Sequence, residues 1–397
     1  MINTKPACIL SVNGGSSSIK FSLHLDDSLE LLMSGALDFT VIKNSRLQIK
    51  FKEDNIFKDE RTQFDDLTGS IEAIISWLKD NQQHFSVAAI GHRVVQGGPS
   101  HREPTLITDD LIESLHQYEY LSPNHLPREI SIIKALQVAF PGIPQVVCFD
   151  NCFHKDMPAV AKYYPLPGKY RAAGMLRYGF HGLSYEYIMK KLGERKQVVF
   201  EEKIIIAHLG NGASMTAIKN NVAIDTTMGM SPIGGLMMGT RSGDLDPGVL
   251  LFLLKQEKMP VDDLDELLNK QSGLKAIGGT SDIRELLENE AAGNAAHEAL
   301  ALFCYQAKKF LGALAASMGG LDTLVFTGGI GANSAVIRER ICEGLGYMGI
   351  TIDEPANFGN DEIISSDTNW VKVYVMQTDE ELMIATHTQQ IIKNKRT

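Results

Sequence analysis

Disulfide and zinc chemistry have little to work with in this chain. Its five cysteines, Cys8, Cys148, Cys152, Cys304 and Cys342, are odd in number, form no pair of CxxC knuckles and read as reduced core thiols. A basic excess is also missing. Thirty-eight Lys and Arg face 48 Asp and Glu, a formal net charge of −10 that argues against a general nucleic-acid or anionic-membrane surface. No apolar run reaches the ~18–20 residues that cross a bilayer; the longest candidate, from Phe310, is broken by glycines and stops at Asp322. The start, MINTKPACILSVNGG, has neither the basic segment nor the long apolar stretch of a secretory signal. Reduced thiols without such a signal predict a soluble, cytoplasmic protein.

Two nucleotide signatures are absent too. No GxxxxGK[ST] occurs, and no GxGxxG is followed some 20 positions on by an acidic residue, so P-loop and Rossmann readings lose support. What is present is length. At 397 residues the chain exceeds one ordinary core, which stops growing near ~250–300 residues, and two domains are expected.

Residues 7–25 read as strand, glycine-serine turn and strand (ACILSV, NGGSSS, IKFSLHL). Half a chain later KIIIAHLGNGASMTAIKNN repeats the phrase, and Gly14-x-x-x-Ser18 aligns with Gly210-x-x-x-Ser214. Helical periodicity is expected over 66–80, 109–119, 128–140, 246–256, 261–270, 281–290, 296–318 and the last segment from DEELMIA, with strands at 87–95, 144–150, 323–329 and 371–376. Alternating strands and helices predict α/β layers, and the two hairpins add antiparallel strands: a mixed sheet flanked by helices, built twice.

Glycine-rich loops follow several strands: NGGSSS, HLGNGAS, SPIGGLMMGTRSGD, IGGTSD and TGGIGAN. Backbone N–H groups in such loops approach a phosphate closely because no Cβ intervenes. Lys20, Arg93, His181 and Arg241 lie in or beside these loops and could neutralise a transferring phosphoryl group. Oxygen ligands for Mg²⁺ would come from Asn13, Asp150 or Glu380.

The phrases NGGSSSIKF, GHRVVQGG, CFDNCFH, YGFHG, HLGNGAS, DTTMG, GLMMGTRSGDLDP, FTGGIG and TDEELMIA stand in the order and at the spacing of the acetate kinase family, which the chain resembles from end to end. The resemblance implies the duplicated fold of actin, Hsp70 and sugar kinases, with domains 1–152 plus 383–397 and 153–382 about a nucleotide cleft. It implies a homodimer, and reversible, Mg²⁺- or Mn²⁺-dependent transfer between ATP and acetate giving ADP and acetyl phosphate. Position by position it assigns Asn13 and Glu380 to the metal, Lys20 to the nucleotide and Arg93 to the acid carboxylate, while Asp150, His181 and Arg241 take catalytic roles. His125, Val95, Phe180 and Pro232 would surround the acid. The nucleotide would meet His208, Leu209, Gly210, Asn211, Gly212, Asp282, Ile283, Arg284, Gly329, Ile330, Gly331, Ala332 and Asn333.

Gln96, Asn124, Leu126, Leu183, Gly234 and Ala332 depart from the family's usual residues. They leave propionate or another short-chain acid open beside acetate. An ATPase or sensor of the same fold is a more distant alternative, against which Arg93 and Arg241 speak.

Overall fold

The structure, a computed structural model, describes residues 5–15, 18–38, 45–51, 57–62, 67–195 and 201–396. Ser16 and Ser17 of the first glycine turn and Asp66 at the head of the first expected helix lie outside these residues. The chain divides into two compact units, Met1–Cys152 with Asp379–Thr397, and Phe153–Thr378.

In the first unit the expected hairpin is β1 (Ala7–Gly14) and β2 (Ser18–Leu25), paired antiparallel. The antiparallel run continues through β3 (Leu31–Asp38), β4 (Ser45–Phe51) and β5 (Phe57–Thr62), three strands without a clear sequence signal. On the other side of β1 lies β6 (Ser86–Val94), parallel to it. After the two-residue β7 (Thr105–Leu106) comes β8 (Gln145–Phe149), parallel to β6. The sheet order is β5-β4-β3-β2-β1-β6-β8-β7.

The second unit repeats this grammar. β9 (Lys203–Leu209), β10 (Ala213–Lys219) and β11 (Val222–Thr226) form the antiparallel run, and β12 (Thr323–Thr327) and β13 (Lys372–Val375) add parallel strands in the order β11-β10-β9-β12-β13. The central five strands β3-β2-β1-β6-β8 and this sheet share order and sense, so the mixed α/β fold expected from two similar hairpins is present twice. One expected strand, 323–329, stops at Thr327, and Gly328–Gly331 turn into a short helix. The reason is local: Gly328 has φ +78°, and a Cβ there would lie 2.6 Å from the Leu209 carbonyl oxygen. The helix Gly182–Glu194 carries no expectation from periodicity.

Strand period decides which face each residue serves. Leu10, Val12 and Ile90 pack with Ile71, Trp77 and Ile132 in one core, while Val94, Val147 and Phe149 pack with Leu111, Leu115 and Ile133 in another. The alternate residues meet the C-terminal helix Glu380–Arg396: Ser11 Oγ donates to the Glu381 carbonyl (2.9 Å), and Cys148 Sγ donates to the Ile384 carbonyl (3.9 Å). Among the described residues no helix is long and apolar enough to cross a membrane.

Gly91 marks the tightest approach of that helix to the sheet. A Cβ there would run into Thr388 Oγ1 and lie 2.6 Å from Ile384 Cγ2. Gly91→Ala is expected to lower unfolding free energy by about 1–3 kcal/mol, the range for overpacking a tight site. Urea unfolding checks this, and an unchanged midpoint would mean that the helix does not bear on β6.

Candidate functional site

In the first unit, β1, β6 and β8 are neighbouring parallel strands, and their carboxyl ends carry Asn13, Arg93 and, one residue past the strand, Asp150. Ligands in α/β sheets bind at such carboxyl ends. Asn13 alternates with Ser11, Arg93 with Gly91 and Asp150 with Cys148, so all three face the start of the C-terminal helix, where Glu380 stands. Arg93 Nη2 donates to Asp150 Oδ2 at 2.9 Å. Asn13 Nδ2 donates to Glu380 Oε2 at 3.0 Å and to Glu381 Oε1 at 3.2 Å, and Arg93 Nη1 reaches Asn13 Oδ1 at 3.5 Å. Lys20 lies opposite Asn13 in the hairpin register.

The electrostatics follow from this crowding. Burial pushes the Glu380 carboxyl up to about 7 and Asp150 and Glu381 add to the rise, while Arg93 and Lys20 oppose it. For Arg93 itself burial favours the neutral form, but Asp150, Glu380 and Glu129 outweigh it and hold the guanidinium above its ordinary value. The oxygen-rich set of Asn13 and Glu380 suits a hard cation that takes only one or two protein ligands and completes its shell from phosphate and water. No three His, Cys, Asp or Glu side chains converge on one point among the described residues.

His125 precedes the helix Leu126–Ala139, and Glu129 sits in that helix's first turn. Glu129 is 3% exposed and its Oε2 accepts from the Val95 N–H at 3.0 Å, tying the helix to the end of β6. Val95 is buried and His125 half-buried. Glu129 carried no sequence signal; a lone Glu in a helical pattern reads as a solvated face. Gln96 is buried as well, its Oε1 accepting from Gly98 N–H (3.0 Å) and Asn151 Nδ2 (2.8 Å).

In the second unit His181 caps the helix Gly182–Glu194 in a left-handed conformation (φ +59°). Its Nδ1 is 2.8 Å from Ser214 Oγ, and Ser214 also pairs with Tyr185 Oη. The ring stacks on His208 with centroids 4.2 Å apart, and His208 Nδ1 is 2.8 Å from Ser184 Oγ. Arg241 Nη1 donates to the carbonyl of buried Pro232 at 3.2 Å. Gly212 borders both groups: a Cβ there would lie 3.2 Å from His181 Nε2 and 3.5 Å from Arg241 Nη1, so both side chains flank the turn closely. Phe180 and Leu183 are buried in the segment that delivers His181.

A cavity of 740 Å³ opens in the same unit, and of the expected nucleotide residues Asn211, Asp282, Ile283, Arg284, Gly329, Ile330 and Asn333 line it. His208, Leu209, Gly210, Gly212, Gly331 and Ala332 stand outside that lining; Leu209 and Ala332 are fully buried beneath it. Asp282 caps the helix Ile283–Asn289 and accepts from Arg284 Nε at 3.0 Å, and this side-chain bonding holds its carboxyl down at about 2. Leu287, Val336 and Phe358 add apolar wall. The first two lie one turn from expected residues, whereas Phe358 comes from the helix Glu354–Gly359, which carries no ligand motif.

Glu129 yields a pH test. Burial pushes its carboxyl up to about 8 from 4.5, against Arg93 and the Val95 N–H. A carboxyl raised on folding contributes stability that is fully present below the unfolded value and is lost as pH rises through the folded one. Glu129→Gln keeps an oxygen for Val95 and removes the titration. Relative to wild type, the variant should gain stability between pH 5 and pH 8 in chemical unfolding; parallel profiles would contradict the buried carboxyl.

The acetokinase family model matches residues 8–386. An acetate kinase from Methylocella silvestris is 39% identical over 97% of this chain and 98% of its own length. Among solved structures, Porphyromonas gingivalis acetate kinase (38% identity, TM-score 0.86) and a propionate kinase from Francisella tularensis (35%, TM-score 0.91) each align over 97% of this chain and all of theirs. Full-length likeness at this level places the chain in the acetokinase family.

Proposed function

We propose that the chain catalyses reversible transfer of the terminal phosphoryl group of ATP to acetate, giving ADP and acetyl phosphate. The observation that carries this reading is Arg93, held between Asp150 and Asn13 at the carboxyl ends of β6, β8 and β1. Its Nε has no hydrogen-bond partner among the described residues and is left for an acid's carboxylate. A planar guanidinium suits that task, offering paired donors to two oxygens. A carboxylate is already a competent nucleophile at neutral pH, so direct in-line transfer rests on positioning and charge neutralisation rather than on a general base. Asp150 therefore orients Arg93.

His181 and Arg241 would stabilise the phosphoryl group in flight. Each is held from behind, His181 by Ser214 and Arg241 by the Pro232 carbonyl, which supports pre-organised charge. Asn211, Asp282–Arg284 and Gly329–Asn333 would hold the nucleotide, with Lys20 and the His208–Gly212 turn on its phosphates. Asn13 and Glu380 would hold Mg²⁺ or Mn²⁺, which supplies further charge neutralisation at the phosphates. Val95, His125, Phe180 and Pro232 would surround the acid.

The two compact units are read as the two domains, with the second return at Asp379 rather than 383, so that Glu380 goes with Asn13. A homodimer is supported by the apolar, exposed helix Pro247–Lys255, where Val249, Leu251 and Phe252 are 44–53% exposed. Sites of this kind on a protein with reduced thiols accord with a cytoplasmic setting.

Propionate is kept as a second acid because buried Gln96, Leu126 and Leu183 and half-buried Asn124 depart from the family's usual residues, and a propionate kinase is among the similar structures. One methylene is worth about 1–3 kcal/mol in a pocket, so kcat/KM should favour acetate over propionate by about 10–200-fold if the acid site is unaltered. Measuring both, with butyrate and a hydroxy acid, checks this; equal or reversed values would give the acid site to the longer acid. Arg241→Ala is expected to lower kcat by a factor of about 10²–10³, as when one pre-organised donor is removed. A hydroxamate assay for acetyl phosphate reads the loss, and an unchanged kcat would remove Arg241 from the reaction.

A further inference from the structure

Arg338, in the helix Ala335–Cys342, is the largest fully buried side chain of the described residues. Taking a guanidinium out of water is costly unless its donors are met and its charge is balanced. The donors are met. Nη1 donates to the Gly331 carbonyl at 3.0 Å, Nε to Asn357 Oδ1 at 2.8 Å, and Nη2 to the Asn357 carbonyl and to Asn360 Oδ1, both at 2.9 Å. Among the described residues no carboxylate balances the charge. Burial lowers its pKa only to about 10, so it stays protonated at neutral pH, and among the described residues the Cys342 thiol is the one titratable group acting on it. Cys342 is itself pushed up to about 12 and carries no charge.

Its partners are chain neighbours of residues that line the 740 Å³ cavity. Gly331 ends the turn whose Gly329 and Ile330 line it, and Asn357 flanks Phe358, the cavity's aromatic residue. One guanidinium thus ties the Gly328–Gly331 turn to the segment that carries Phe358 and places a positive charge, without a carboxylate partner among the described residues, beside a glycine turn.

We propose that Arg338 is a positioning residue for the nucleotide, fixing the Gly328–Gly331 turn against the helix that carries Phe358 and favouring a polyanionic ligand over an uncharged one. The inference rests on the kinase reading above. The balancing charge is then the nucleotide's phosphates, for which no carboxylate among the described residues competes at Arg338.

Two variants separate this from a role in folding alone. Arg338→Met removes the fork and the charge. Asn360→Asp keeps an oxygen acceptor at an exposed, left-handed position that Asp tolerates, and sets a counter-charge beside Nη2. ADP binding by calorimetry and the KM values for ATP and acetate are the readouts. Arg338→Met should weaken ADP and raise the KM for ATP about tenfold or more while the KM for acetate stays within about twofold. Asn360→Asp should move ADP and ATP the same way by about two- to fivefold with its melting temperature unchanged. Unchanged ADP affinity in folded Arg338→Met, or acetate and ATP rising together, overturns the proposal. Should that variant not fold, unchanged ADP affinity in Asn360→Asp overturns it. A wild type that does not bind ADP would overturn the kinase reading and this inference together, whereas a binding wild type matched by both variants overturns this inference alone.

Discussion

The charged cluster of the first unit depends on one contact, the 2.9 Å bond from Arg93 Nη2 to Asp150 Oδ2 at the ends of adjacent parallel strands. Asp150 is fully buried and Arg93 nearly so, which makes the pair a poor source of net stability. Its value is geometric. Fixing one edge of the guanidinium on Asp150 and another on Asn13 leaves Nε aimed, and the same charge favours the ionised forms of Glu380 and Glu129 around it, against burial. Without that cation burial would raise the Glu380 and Glu129 carboxyls further still.

The second unit solves a related problem with backbone. Gly212 borders both His181 and Arg241, and Gly328 lets the chain turn against the Leu209 carbonyl. Side chains there are braced by neutral groups, Ser214, Ser184 and the Pro232 carbonyl, rather than by carboxylates. Bracing with neutral acceptors leaves the positive potential undiminished, which matters in a chain whose formal net charge is −10. Arg338 follows the same rule beside the Gly328–Gly331 turn, with carbonyl and amide oxygens where an acidic partner would ordinarily stand.

Much of the fold was legible before any coordinates. The two hairpins, the parallel strands ending in VV and CFD, and the helix from DEELMIA follow from period and turn chemistry. β3 to β5 were not, because LLMSGALD and SRLQIKF mix charge and small residues and take their pairing from neighbours rather than from strong local preference. Glu129 and Phe358 escaped for a similar reason. A lone Glu in a helix and a lone exposed Phe look like ordinary surface until burial or a cavity singles them out.

The amino-acid order by itself determined the doubled α/β architecture and the residue types available for phosphate, carboxylate and metal, because periodicity, glycine placement and motif spacing are local properties of the chain. Only the tertiary structure decided which of those residues meet. Strand register puts Asn13, Arg93 and Asp150 on one face, and the return of the C-terminal helix brings Glu380 to Asn13 across 367 positions of sequence. Burial then decides protonation, holding Glu380 near neutrality and leaving Arg338 charged without an acid among the described residues. Those outcomes depend on distance and solvent exclusion, which no stretch of sequence contains.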